Sequence, residues 1–177
     1  VRWFHTGQAD AKTIAHHLIE DYWAGDPEAQ LLPDTVLPEG LASAERPEAV
    51  RVLKGRLLRE EVYAEDNLEN GKSRNPYRVT EYSYRIRAIQ EKAHNRFGVF
   101  HAYEAEELIA QYERNPLDPR VTHEISDVDE FGNVSVVATI GYPRRPSPNR
   151  RAEQEVLLVL SSESDWLNRH AERDWYR

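Results

Sequence analysis

Asp118-Pro119-Arg120-Val121-Thr122-His123-Glu124-Ile125-Ser126-Asp127-Val128-Asp129-Glu130-Phe131-Gly132-Asn133-Val134-Ser135-Val136-Val137-Ala138-Thr139-Ile140-Gly141-Tyr142-Pro143-Arg144-Arg145 reads as a β-hairpin. Two runs rich in Val, Ile and Thr flank the reversal Asp129-Glu130-Phe131-Gly132-Asn133. Gly132 and Asn133 both tolerate positive φ, which a tight reversal needs. Pro119 and Pro143 stand at the outer ends, where neither has to donate a ladder hydrogen bond. Alone, the stretch implies an antiparallel sheet and no catalytic chemistry.

Upstream of the hairpin the same period continues. Over Tyr77 to Gln90, Tyr82, Tyr84, Ile86 and Ala88 fall on one face and Glu81, Ser83, Arg85 and Arg87 on the other. That alternation predicts a strand with one buried and one wet side, with Tyr82, Tyr84 and Ile86 as anchors. Phe97, Val99, His101 and Tyr103 alternate again, and the phase slips near Ala105–Glu107. A bulged strand through Glu113 is preferred over a helix from Glu104 to Glu113. Leu57 to Glu65 is a further strand, and Asn70-Gly71 and Asn75-Pro76 are turn signals. Downstream, Arg144 to Arg151 forms an exposed Arg- and Pro-rich loop. The continuously apolar run Val156 to Leu160 suits a strand covered on both faces.

The first third differs. Val1 to Gly7 is strand-like. Asp10 is placed to cap a helix ending at Gly25, with Ile14, Leu18 and Tyr22 on its apolar stripe. Pro27, Pro33 and Pro38 break up the following stretch, and the Leu and Val residues between them predict a loop pinned to a surface. A second helix runs from Ser43 to Lys54, with Pro47 in its first turn and Gly55 as its stop. The fold class is therefore α+β, mainly antiparallel β with two helices near the N-terminus. Residues 1–55 form a strand plus helical segment, and 56–177 an antiparallel β-rich segment, as one continuous unit of something larger.

Bulk composition agrees with a packed domain. Of 177 residues 40% are hydrophobic and 31% charged, which is too apolar for a disordered chain. No apolar run approaches the ~20 residues of a membrane helix, and Val1 to Gly7 is too short for a secretory signal. The sequence lacks Met and neither end tapers into polar sequence, so a fragment of a longer protein is expected. With no Cys there is no disulfide, thiolate ligand or Cys nucleophile. Residues 1–50 hold three basic and nine acidic groups, against a net charge of −8 for the whole chain, a balance that argues against nucleic acid as partner.

Individual residues offer little catalytic pattern. His16 and Glu20 sit one helical turn apart, but without a third metal ligand in sequence reach. His101 and His123 fall in strands, where a hydrogen-bonded sheet histidine is the expected role. Glu60-Glu61 point to opposite faces of a strand and cannot act as a carboxylate pair. No nucleophile elbow, phosphate-binding loop or dinucleotide fingerprint occurs. We therefore expect no catalytic, cofactor-binding or metal residues. The Arg-rich loop beside Tyr142 is an alternative phosphate or acidic-partner site, and the Tyr and Trp residues an alternative carbohydrate- or protein-binding platform. A hydrolase would need a cleft joining His123 to a distant carboxylate.

Asp129-Glu130-Phe131-Gly132-Asn133-Val134 has the form Asp-x-x-Gly-Asn-hydrophobe, and resembles the turn of the Rhs/YD repeat family. An ordered set of stretches extends the likeness: Val1 to Gly7, Leu31-Leu32-Pro33-Asp34-Thr35-Val36-Leu37-Pro38, Leu53-Lys54-Gly55, Leu58-Arg59-Glu60-Glu61-Val62-Tyr63, Asn75-Pro76-Tyr77-Arg78-Val79 and Asp118-Pro119-Arg120-Val121. Together they are similar to the middle region of the B component of bacterial ABC-type (Tc) insecticidal toxin complexes, related to the SpvB-like proteins. The resemblance implies a non-catalytic structural segment of an Rhs-type β-shell that encloses and delivers a toxic cargo. It further implies a secreted complex, with the C component, the A component and the rest of its own longer chain as partners, and no membrane contact by this segment. Asp129, Gly132 and Asn133 would set the hairpin unit of the wall. One clean Asp-x-x-Gly-Asn turn is present, and the match is loose from about Arg144 onward.

Overall fold

The computed structural model describes residues 1–8, 13–66, 74–148, 150–169 and 171–172. Seven strands form one antiparallel sheet in sequence order: β1 (Arg2–Phe4), β2 (Leu57–Val62), β3 (Arg78–Gln90), β4 (Val99–Gln111), β5 (Arg120–Val128), β6 (Val134–Gly141) and β7 (Leu158–Glu163). Every neighbour pair is antiparallel, and the β1–β2 connection, which carries two helical segments, is by far the longest. β4 is a strand throughout, and Glu104–Gln111 is not helical. Ser83 pairs with Glu106 and Tyr84 with Glu104, which leaves Ala105 as the extra residue behind the phase slip.

The helices are shorter than the spacing predicts. Within the expected Asp10–Gly25 helix only a 3-10 helix, His16–Asp21, forms, and Asp10 lies outside the described residues. Tertiary contacts replace helical ones there. The Asp34 carboxylate accepts from the N–H groups of Ile14 (2.9 Å) and Ala15 (2.7 Å), and Tyr22 leaves the helix in extended geometry to meet Trp3 and Arg59. The second helix, α1 (Arg46–Arg51), has Pro47 in its first turn and continues as turns to Gly55, which adopts φ +81°. Ala49, Val50 and Leu53 from this segment pack with Ile14, Tyr84, Ile86 and Ala102 as the main core. Burying side chains such as Val50 and Leu53 contributes roughly 1.5–3 kcal/mol each.

The Pro-broken segment from Asp26 to Gly40 is a strap fixed to the sheet. Leu32 is buried. Val36 extends the sheet in parallel beside β3: its N–H donates to the Tyr84 carbonyl (3.1 Å), and its carbonyl accepts from Ile86 N–H (2.9 Å). The expected wet second face of β3 holds only for its far half, where Arg85 is exposed and Arg87 half-buried. Glu81 and Ser83 are both buried, Glu81 against Leu32 of the strap and Arg59, whereas Ala88 is exposed. The opposite correction applies to Val156–Leu160. Only Leu158 onward is strand, and every residue of β7 is exposed, Leu158 by 64% and Leu160 by 74%. β7 is the last strand in the order, and none of the described segments covers it.

Candidate functional site

Polar side chains gather at three places: the β5–β6 turn, a charged clasp under the strap, and a cleft beside it.

In the turn, Gly132 adopts φ +81°, and Asn133 does not use that freedom. Asn133 acts through its side chain instead. Asp129 accepts from Phe131 N–H (2.9 Å), Asn133 N–H (2.9 Å), Asn133 Nδ2 (2.8 Å) and Asn168 Nδ2 (3.1 Å). Desolvation works against the Asp129 carboxylate, yet the hydrogen bonds from Asn133, Asn168 and Phe131 hold its pKa at about 2. Four donors converge on this carboxylate, so it is a turn organiser and a poor acid or base. Arg87 ties the turn to β3 by donating to the Asp129 carbonyl (2.6 Å) and the Val128 carbonyl, over the Tyr103 ring. A Cβ on Gly132 would lie 3.3 Å from His101 Cε1, so the tip also rests on β4.

Of the proposed anchors, Tyr84 and Ile86 lie in the main core and Tyr82 packs at its margin. Tyr84 also donates from its hydroxyl to the Leu57 carbonyl (2.8 Å), so the buried ring carries no unmatched polar group. His5 stands edge-on to Tyr84. Burial pushes its pKa down to about 4, with the His17 and Arg56 charges adding to the effect and Asp34 opposing it.

The clasp was missed by strand periodicity. Arg59 on β2 donates to Glu61 Oε1 (2.7 Å) and to Glu81 on β3, and sits over the Tyr22 ring. Glu61 is 2% exposed and accepts from Trp23 N–H (3.0 Å) and the Tyr63 hydroxyl (2.6 Å), while Glu81 accepts from Leu32 N–H (3.1 Å). Burial raises the Glu81 pKa, opposed by Arg59. Glu60 faces the other way and bridges Arg2 and Arg78. The Glu60-Glu61 pair therefore splits between faces as expected, and Glu61 belongs to a buried cluster. Two-residue spacing puts Arg59 and Glu61 on one strand face, but Glu81 joins them only through the β2–β3 register.

The cleft, about 250 Å³, lies between the strap and the sheet. Val79, Leu108, Ala110 and Val121 form its floor, and Tyr112 and Tyr142 stand in its walls. At the rim Arg145 pairs with Asp26 (2.7 Å) and Glu28 (3.3 Å), and the Tyr112 hydroxyl donates to Asp26 (2.8 Å). Burial works to raise the Asp26 pKa, and the bonds from Arg145 and Tyr112 overcome it. The Arg-rich loop is thus largely a set of braces: Arg144 holds Asp118 (2.6 Å), Arg145 holds Asp26 and Arg150 holds Glu155 (3.0 Å). Three of the loop's four arginines, Arg144, Arg145 and Arg150, are committed to these carboxylates.

His123 does meet a carboxylate. Its Nε2 lies 2.9 Å from Glu106 Oε2 and its Nδ1 3.2 Å from the Tyr142 hydroxyl. Both ring nitrogens are engaged across β4, β5 and the end of β6, which makes the trio a cross-strand brace. His16 Nε2 reaches the Leu32 carbonyl (2.9 Å) and does not pair with Glu20. Among the described residues no group of three or more His, Asp or Glu side chains is arranged to hold a metal ion. Exposed Phe4, Phe97 and Trp166 stand on β1, on the β3–β4 turn and after β7, and so do not share one element. Trp175 and Tyr176 lie outside the described residues.

The family model described as the insecticide toxin TcdB middle/C-terminal region matches residues 48–174. No curated protein matches the chain. Among solved structures, the crystal structure of TcdB2-TccC3 aligns with TM-score 0.77 and 25% identity over 93% of this chain and 9% of that one. The same pair without the hypervariable C-terminal region gives 0.77 and 26% over 93% and 9%. The Photorhabdus luminescens Tc holotoxin pore with the TccC3 D651A change gives 0.68 and 29% over 84% and 7%. The chain thus spans less than a tenth of the solved chains it matches. With the family match covering well over half of it, and the seven-stranded sheet aligned along nearly its whole length, the chain belongs to the insecticide toxin TcdB middle/C-terminal region family.

Proposed function

We propose that this chain is a non-catalytic structural segment of a secreted toxin-complex B component, where it helps build the wall of a shell that encloses and delivers a toxic cargo. Residues 56–177 supply the wall, and residues 1–55 an accessory layer that braces it. Its partners are the rest of its own longer chain, the C component carrying the cargo and the A component. The observation that carries this reading is β7. It is a strand paired on one side only, exposed along its whole length and preceded by the apolar residues Val156 and Leu157. An edge of that kind templates pairing with a further strand, and the solved relatives extend far beyond the matched region.

The test is sedimentation of the 177-residue chain. Self-association that increases with concentration and is suppressed by Leu160→Lys, a charge placed on the open edge strand, is the expected outcome. A chain that stays monomeric at all concentrations, with a single sharp unfolding transition, would sink the wall reading.

A further inference from the structure

The cleft between strap and sheet has parts that a wall does not require. We infer that it binds an amphipathic cation, an alkyl chain ending in an ammonium group.

The shape argues for the alkyl part. Val79, Leu108, Ala110 and Val121 come from three adjacent strands and give an apolar floor. The volume of about 250 Å³ has room for roughly eight water-sized groups, so it suits a short chain and not a large ring system.

The charge argues for the ammonium. Arg59 lies between Glu61 and Glu81, and Arg145 between Asp26 and Glu28. Two guanidinium groups, Arg59 and Arg145, and three carboxylates, Asp26, Glu28 and Glu81, line the cleft, which leaves a formal excess of one negative charge around it. Low-dielectric walls strengthen the resulting field. An anion would meet guanidinium groups whose charge is already overcompensated. The wall tyrosines, Tyr112 and Tyr142, are residues whose rings favour cations.

The chemistry has two sources, a free amine or a lysine side chain of a polypeptide, and the experiment separates them. The 15N-labelled chain is titrated with n-hexylammonium, n-hexanoate and 1-hexanol, and in a separate arm with Nα-acetyl-lysine amide. Hexylammonium is expected to shift the amides of Val79, Ala110 and Val121 saturably, binding at least about tenfold tighter than hexanoate or hexanol. Glu28 is largely exposed, so Glu28→Gln leaves the fold intact and should weaken binding about two- to fivefold at low salt. Binding of the lysine amide at the same amides assigns the site to a lysine side chain, and binding of hexylammonium alone assigns it to a free amine. Equal binding of hexanoate or hexanol, shifts confined to other strands, or no saturation overturns the inference.

Discussion

The two halves of the sheet are built from similar strands and end in opposite environments. β2, β3 and the start of β4 carry the strap, the 3-10 helix and α1, and even Glu61, Glu81 and Ser83 are buried there. In β6 and β7 no residue is buried, and β7 is exposed from end to end. Strand identity therefore comes from the local pattern and from the ladder, while burial comes from whether a separate segment of chain lies on top. Local stability should follow the cover: amides in β3 open only with global unfolding, whereas those of β7 open at much lower cost.

The largest test of that contrast lies in the clasp. Arg59→Ala strands Glu61 and Glu81 without their cation, and is expected to cost about 3–5 kcal/mol in chemical denaturation. A loss below about 1 kcal/mol would mean the strap does not depend on the clasp. Comparable in size is the pairing of Leu53→Ala with Leu160→Ala. The first removes a fully buried core side chain and should cost about 2–5 kcal/mol. The second removes an exposed one and should stay within about 0.5 kcal/mol. Equal losses would end the comparison between halves.

Acid should act on the covered half first. The pKa of His5 is about 4 in the fold against 6.5 when unfolded, so the unfolded chain binds more protons between those values. Stability is then full above pH 6.5 and falls as pH drops towards 4, by about 3 kcal/mol from this group. A His5→Gln variant should flatten that part of the profile, and an unchanged slope would show that His5 is not the group responsible. A smaller loss than those in the core and clasp is expected in the hairpin turn. Gly132→Ala places a side chain at φ +81° and 3.3 Å from His101, and should cost about 1–2 kcal/mol without altering β3 exchange protection.

Much of this architecture was legible. Alternation over Tyr77–Gln90 and the Val- and Thr-rich runs around Gly132 placed β3, β5 and β6, and the slip near Ala105 located the bulge in β4. Boundaries of the helices were not, because the Asp34 carboxylate and the Tyr22 contacts compete with helical hydrogen bonds from residues distant in sequence. Of the candidate sites, the Asp129 turn could be read locally, as all its partners except Asn168, the tip of Arg87 and the His101 contact lie within five residues. The clasp and the cleft join residues tens of positions apart, and no spacing rule reports them.

By itself the sequence determined the strand periods, the reversal at Gly132, and the ordered motifs that mark the family. Each is a property of neighbouring residues or of their order along the chain. Only the tertiary structure decided which faces are wet. Glu61 and Glu81 are buried because Arg59 and the strap meet them there, and Val156–Leu160 are exposed because none of the described segments does. Burial is set by what lies on top of a strand, and a strand's own sequence does not encode its cover.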